Sequence, residues 1–290
     1  MGEKWKIEQP EQLAIGDGVH RLRLSAVGGR VNVIGVDGPA SLEVERISGP
    51  PLNVECVDGE LTVKHGEDLK FGLFGWLTRG ARQEVELSLS VPPDALVEIS
   101  MVSGPVVLSN FHERVDVKGV SGEITMAGVY GPTTVSTVSG AITVEQATDD
   151  LKVKAVSGSI TVLAGAGGDI DLNTVAGSIT VDLEDPMPGR VHATNVSGSL
   201  TVRLPHDPDV EVDLTSTSGR GTTAFPEITR TRRPGSSRLS GTIGSGAAQL
   251  SGHTLSGSIT LLRRDADEGP GDIQDETPGR SGDEGIEDAR

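Results

Sequence analysis

The chain is poor in aromatic side chains, with four Phe, two Trp and one Tyr among 290 residues. A core of this size must therefore be filled by Val, Ile and Leu. One cysteine, Cys56, excludes an internal disulfide and is compatible with a reducing compartment. Basic residues are also scarce: 25 Lys and Arg stand against 42 Asp and Glu, for a net charge of −17. That balance excludes nucleic acid as a partner, because phosphates require clustered Lys and Arg. No run approaches the ~18 consecutive apolar residues of a membrane span. The N-terminal MGEKWKIEQPEQ has no apolar export region. The expected location is cytoplasmic, with any membrane contact peripheral and made at the inner membrane.

Catalytic and metal constellations are missing too. His20, His65, His112, His192, His206 and His253 are scattered without ligand spacing. Phosphate-binding glycine patterns are absent. Gly167-Gly168-Asp169-Ile170-Asp171 matches half of a calcium-binding nonapeptide, but it occurs once and that site needs tandem copies. The expectation is a protein that is not an enzyme, with no catalytic, cofactor-binding or metal-binding residues and no cofactor.

What the chain has in abundance is a repeated phrase. Val-Ser-Gly-x-Ile-Thr-Val or a close variant starts at Val102, Val120, Val138, Val156, Val175 and Val196. The serine column runs 103, 121, 139, 157 at intervals of 18, then Ala176, Ser197 and Ser218 at 19, 21 and 21. Before it, Val97, Val115, Thr133, Leu151, Ile170 and Val191 alternate with polar residues. After it, Ile124, Ile142, Ile160, Ile179 and Leu200 alternate with Thr125, Thr143, Thr161, Thr180 and Thr201. Both halves show the period of two that marks a half-buried strand. The alternation slips at Met101, Gly119, Thr137, Ala155, Thr174 and Asn195. A slip beside a glycine predicts a corner. Two short strands per ~18 residues cannot bury their own apolar face, but stacked turns can. The prediction is an all-β parallel β-solenoid of ~18–21-residue coils, with an antiparallel sandwich of hairpins as the competitor.

Four segments follow: a polar lead-in at 1–18, irregular capping coils with insertions at 19–101, the regular solenoid at 102–262, and an acidic disordered tail at 263–290. The frame places irregular coils around Gly28 and around Asp58. It decays near Ser218 and Ser240, where the basic run Arg230-Thr231-Arg232-Arg233 reads as a solvated loop. Cys56 reads as a small core residue and His192 as a surface one. Ser159-x-Thr161, Ser178-x-Thr180 and Ser199-x-Thr201 form outward hydroxyl ranks, as on ice-binding solenoids, with Glu123 and Ala141 interrupting them. Three of the seven aromatics fall in Phe71-Gly72-Leu73-Phe74-Gly75-Trp76-Leu77, near Arg79 and Arg82. This stretch is the candidate docking loop, its residues being Phe71, Leu73, Phe74, Trp76, Leu77, Arg79 and Arg82. The other reading makes it a cap over the core.

The VSGSITV column resembles the bacterial β-strand-repeat family provisionally labelled adhesins and related to toast-rack domains. The resemblance covers roughly residues 20–262 and rests on structural residues. It implies the fold and an association with envelope or membrane-stress systems, with no settled activity. A second resemblance is to bactofilin-like polymerising solenoids. Together these imply a non-catalytic scaffold that binds a protein partner or itself, with peripheral membrane contact. The alternatives are a self-polymerising cytoskeletal element and a carbohydrate-acting or adhesive β-helix protein.

Overall fold

The computed structural model describes residues 2–66 and 83–265. The candidate docking loop and nearly all of the acidic tail lie outside them. The described chain is a parallel β-solenoid. Each regular coil gives one strand to a first sheet, turns at a glycine, and gives one strand to a second sheet. In one coil Leu151–Ser157 leads into Ile160–Gly165 across Gly158. Ile160 sits in register between Ile142 and Ile179, and Leu151 between Thr133 and Ile170. All six are buried. The predicted inward columns are therefore the core, because stacking places like side chains ~4.8 Å apart on one face.

Coils are named below by their corner glycine. From Gly104 to Gly198, and at Gly257, the corner backbone has positive φ, between 118° at Gly104 and 159° at Gly257. Stacking adds a stronger demand than dihedral freedom. A methyl group built on Gly158 would lie 2.0 Å from the carbonyl oxygen of Gly140, and one on Gly140 would lie 2.0 Å from that of Gly122. The glycines pack backbone on backbone, so no side chain fits.

The slip position points inward behind the corner. Where it is polar, it bonds a corner carbonyl. Thr174 donates to Gly158 O at 3.3 Å, Thr254 to Gly198 O at 3.2 Å and Ser216 to Gly257 O at 2.8 Å. Asn195 donates to both Gly177 O and Gly198 O. These side chains are buried, and the bonds satisfy carbonyls that would otherwise be stranded away from water.

Both ends depart from the regular pattern. At the first end, Arg21–Gly35 is one long strand forming a whole coil through Gly28 and Gly29. It pairs with Leu96–Ser103 and Val106–Phe111 on the inner side. On the outer side it pairs with Glu60–His65 and Glu84–Val91. The Gly28 frame thus holds. The Asp58 frame does not form a coil: Leu52–Val57 and Glu60–His65 are an antiparallel hairpin. Asp58 and Gly59 turn it with φ of 48° and 76°. Asp-Gly favours this tight turn because both residues accept positive φ. The lead-in also differs from its reading. Glu3–Ile7 and Glu11–Gly16 are strands lying antiparallel on Leu52–Val57 and Ala40–Ser48. They form the outermost edge of each sheet at that end.

At the other end the coils stack out of chain order. Val191 pairs with Leu250, and Leu250 with Val212. The Gly257 coil, last in sequence, is thus inserted between the Gly198 and Gly219 coils. Ser236–Ile243 then lies antiparallel on Val210–Ser218, and Thr229–Arg233 antiparallel on Ser236–Ile243. The basic run is an exposed edge strand rather than a loop. Gly221 and Thr223 cannot fill the core, and Phe225 and Leu239 are buried there in their place.

Candidate interaction surfaces

The outward side chains of the regular coils form straight columns. The most apolar belongs to the valine of the Val-Ser-Gly phrase. Having slipped phase, it points out where its alternating neighbours point in. Val138, Val156 and Val175 are each 50% exposed, and Val120, Val196 and Leu255 are exposed beside them. In spatial order the column runs Val120, Val138, Val156, Val175, Val196, Leu255. It is an unbroken aliphatic ridge of six coils and ~24 Å. Each side chain covers part of its neighbour, and the rest faces solvent. The exposed serines 121, 139, 157, 197 and 256 run alongside. Scattered exposed valines need no explanation, but an ordered row is a surface suited to recognition.

The second column is hydroxyl. Thr125, Thr143, Thr161, Thr180, Thr201, Thr260 and Thr222 are register partners in succession. Seven coils therefore carry one threonine each. The inserted coil adds Ser258-x-Thr260 next to Ser199-x-Thr201, lengthening the expected serine rank. Glu123 and Ala141 still occupy that rank at the other end.

Beyond the ridge, several of the described charges are spent on structure. Asp182 is 6% exposed; Arg203 meets both its oxygens, and Arg264 donates to it at 2.6 Å. This ties the Gly177, Gly198 and Gly257 coils together. In the half-nonapeptide, Asp169 is paired with Arg190, while Asp171 accepts from Asn173 at 2.7 Å. Both carboxylates are already engaged. Asp209 accepts from Ser245, Gly246 and Ala247, which holds its carboxyl below the usual range.

The predicted histidines do not converge. His192 is exposed and bonds Ser251 and Thr194. His112 lies 3.1 Å from Asp94, with the Tyr130 ring 5.4 Å away and no nucleophile between them. His65 is buried, and neither ring nitrogen makes a well-formed hydrogen bond. Cys56 is half-buried rather than fully in the core, and burial pushes its thiol pKa up. Among the described residues no group of three or more His, Cys, Asp or Glu is placed to hold a metal ion.

These columns carry the signature of one family. The Toastrack DUF4097 model matches residues 41–262, and the chain belongs to that family. No curated protein matches the chain. Several solved structures are similar to it at low identity. One is from Clostridium sporogenes, provisionally named a cell adhesion protein. It is 14% identical, with 88% of this chain and 100% of that one covered and a TM-score of 0.25. Another, from Parabacteroides distasonis, is provisionally named a lipid binding protein, at 13% identity, 88% and 97% coverage and a TM-score of 0.29. A third, from the same organism, is provisionally named an adhesin, at 13%, 90% and 97%, with a TM-score of 0.25. At such scores the names say nothing of what this chain binds.

Proposed function

We propose that the chain is a non-catalytic scaffold whose regular coils bind another protein, acting at the cytoplasmic face of a membrane. The observation that carries this reading is the aliphatic ridge from Val120 to Leu255. It is rigid, because backbone ladders hold every member, and a rigid surface loses little entropy on binding. It is also narrow and flanked by hydroxyls, which suits a protein groove or an apposed strand better than a small molecule. The membrane placement rests on the sequence of residues 71–77, apolar and next to Arg79 and Arg82 in a chain of net charge −17. That composition suits an anionic lipid surface.

Polymerisation by end-to-end stacking is disfavoured by the caps. Thr229–Arg233 presents three arginines on one terminal edge, and charged edges blunt strand addition.

The test uses a photo-crosslinking residue at Val138 or Val175, with Lys154 as the control position on the first sheet. Adducts of one defined mass from the ridge but not from Lys154 are expected in the native host. Equal yields at all three positions would sink the ridge reading. Separately, Phe74→Ser with Trp76→Ser should release the protein from anionic vesicles while leaving ridge adducts intact. Wild-type protein that ignores vesicles would remove the membrane placement alone.

A further inference from the structure

The edge strand Thr229–Arg233 is an anomaly in so acidic a chain. All five residues are exposed. Among the described residues, no carboxylate lies within ion-pair distance of Arg230, Arg232 or Arg233. Arg230 reaches only the Gly221 carbonyl, at 3.4 Å. The adjacent Arg238 is already satisfied, meeting Asp213 with two bonds of 2.8 and 2.7 Å. Arg220, also exposed, has no ion pair among the described residues either. The outer side of this strand has no described partner strand, so backbone groups and three guanidinium groups are presented together.

The segment that follows the described chain has the opposite charge. Residues 266–290 hold nine Asp and Glu against Arg280 and Arg290. Its starting point lies at the same end of the solenoid, one coil in from the coil that leads to the arginine strand. Arg263 lies with its guanidinium 5.6 Å from the centre of the Phe225 ring, and Phe225 precedes Thr229 by four residues. From there a segment of 25 residues can extend up to roughly 80 Å, so reach is no constraint. A tethered partner acts at an effective concentration near the millimolar range, which lets weak charge pairs fill a site. Arg–carboxylate contacts can be bidentate and are stronger than neutral hydrogen bonds.

We propose that residues 266–290 of the same chain dock on the arginine edge strand and mask it. The masked edge is then closed to acidic partners and to strand addition by another copy, and a competitor must displace the tail first. This holds independently of what the aliphatic ridge binds.

Amide hydrogen exchange over 229–233 reads this directly in the full chain, in a chain ended after Asp265, and in a full-length Arg230→Gln, Arg232→Gln, Arg233→Gln variant. Exchange relative to intrinsic rates should be about tenfold faster in the shortened chain, the change expected for a contact of ~1.4 kcal/mol. The triple variant should show the same loss with its tail present. A peptide of residues 266–290 added to the shortened chain should restore protection, and about 1 M salt, where the screening length is ~3 Å, should abolish it. Equal exchange in full and shortened chains would overturn the proposal. Protection that disappears on dilution would also overturn it, since that would make the tail a partner for a second copy.

Discussion

The coils from Gly104 to Gly158 and the two ends of the molecule obey different rules. In the coils each strand pairs with the strand 18 residues further on, parallel and in register. At the ends the partners are antiparallel, the intervals are irregular, and order in space departs from order in the chain. The difference shows what a repeat can and cannot encode. A repeated phrase specifies how one coil sits on the next. It also makes every coil an adhesive template, so something that is not a repeat must stop the stack. Here both stops are built by chain that runs outward and folds back, ending in short or charged edge strands.

The largest contrast expected in the coils is between adjacent residues. Ile160→Asp buries an unpaired charge between two isoleucines and should cost several kcal/mol. Thr161→Asp faces outward and should cost under ~1 kcal/mol. Similar thermal shifts for the pair would contradict the register. Glycines should divide the two regions next. Gly158→Ala puts a methyl 2.0 Å from a backbone oxygen, whereas Gly235→Ala, in the turn at φ 82°, meets nothing within 4 Å. The first should lose roughly 3 kcal/mol by chemical denaturation and the second about 1 kcal/mol, from dihedral strain alone. Equal losses would mean that corner packing is looser than described.

A smaller effect is expected at the inner corner. Thr174→Val keeps the shape and removes the bond to Gly158 O, leaving that carbonyl without a side-chain donor. The expected loss is ~1 kcal/mol. No change on denaturation would show that water reaches the corner. The smallest effect separates the first cap from the coils by pH. Burial pushes the imidazole of His65 below its ordinary value of 6.5, against weaker opposition from the Pro50 and Ser48 carbonyls. The unfolded state then binds the proton more readily, so stability falls as pH drops below ~6.5. Thermal melts of His65→Leu should lose that part of the slope. An unchanged slope would place the titration elsewhere.

How much of this was legible follows from the same contrast. The inward columns on either side of the corner, from Val97 to Val202, could be read from the sequence, because strand alternation and an 18-residue interval are both periodic signals. The hairpin at Asp58-Gly59 was also legible, since Asp-Gly between alternating strands is a strong turn signal. The column frame, extended too far, hid it. The strand Glu3–Ile7 was not legible: Lys4 and Lys6 face solvent at an edge, and its core contact is made by Ile7 alone with Trp5 half-buried. The ridge was visible only as a repeat. That Val138 points out and Thr137 points in depends on the phase slip, which sequence locates without giving its direction. The docking of Arg263 over Phe225 and the placing of the Gly257 coil inside the Gly219 coil depend on long-range pairing that no local pattern carries.

That inserted coil is where the account is most exposed, and one measurement reaches it. In a Cys56→Ala background, Thr201→Cys can be combined with Thr260→Cys or with Thr222→Cys. Thr201 and Thr260 are direct register partners, and Thr222 lies one coil further on. Neighbouring strands sit ~4.8 Å apart, within disulfide range, while a two-coil separation of ~9.6 Å is beyond it. The 201–260 pair should oxidise readily and the 201–222 pair should not. A 201–222 disulfide without a 201–260 one would mean that the coils stack in chain order and that this end is built otherwise.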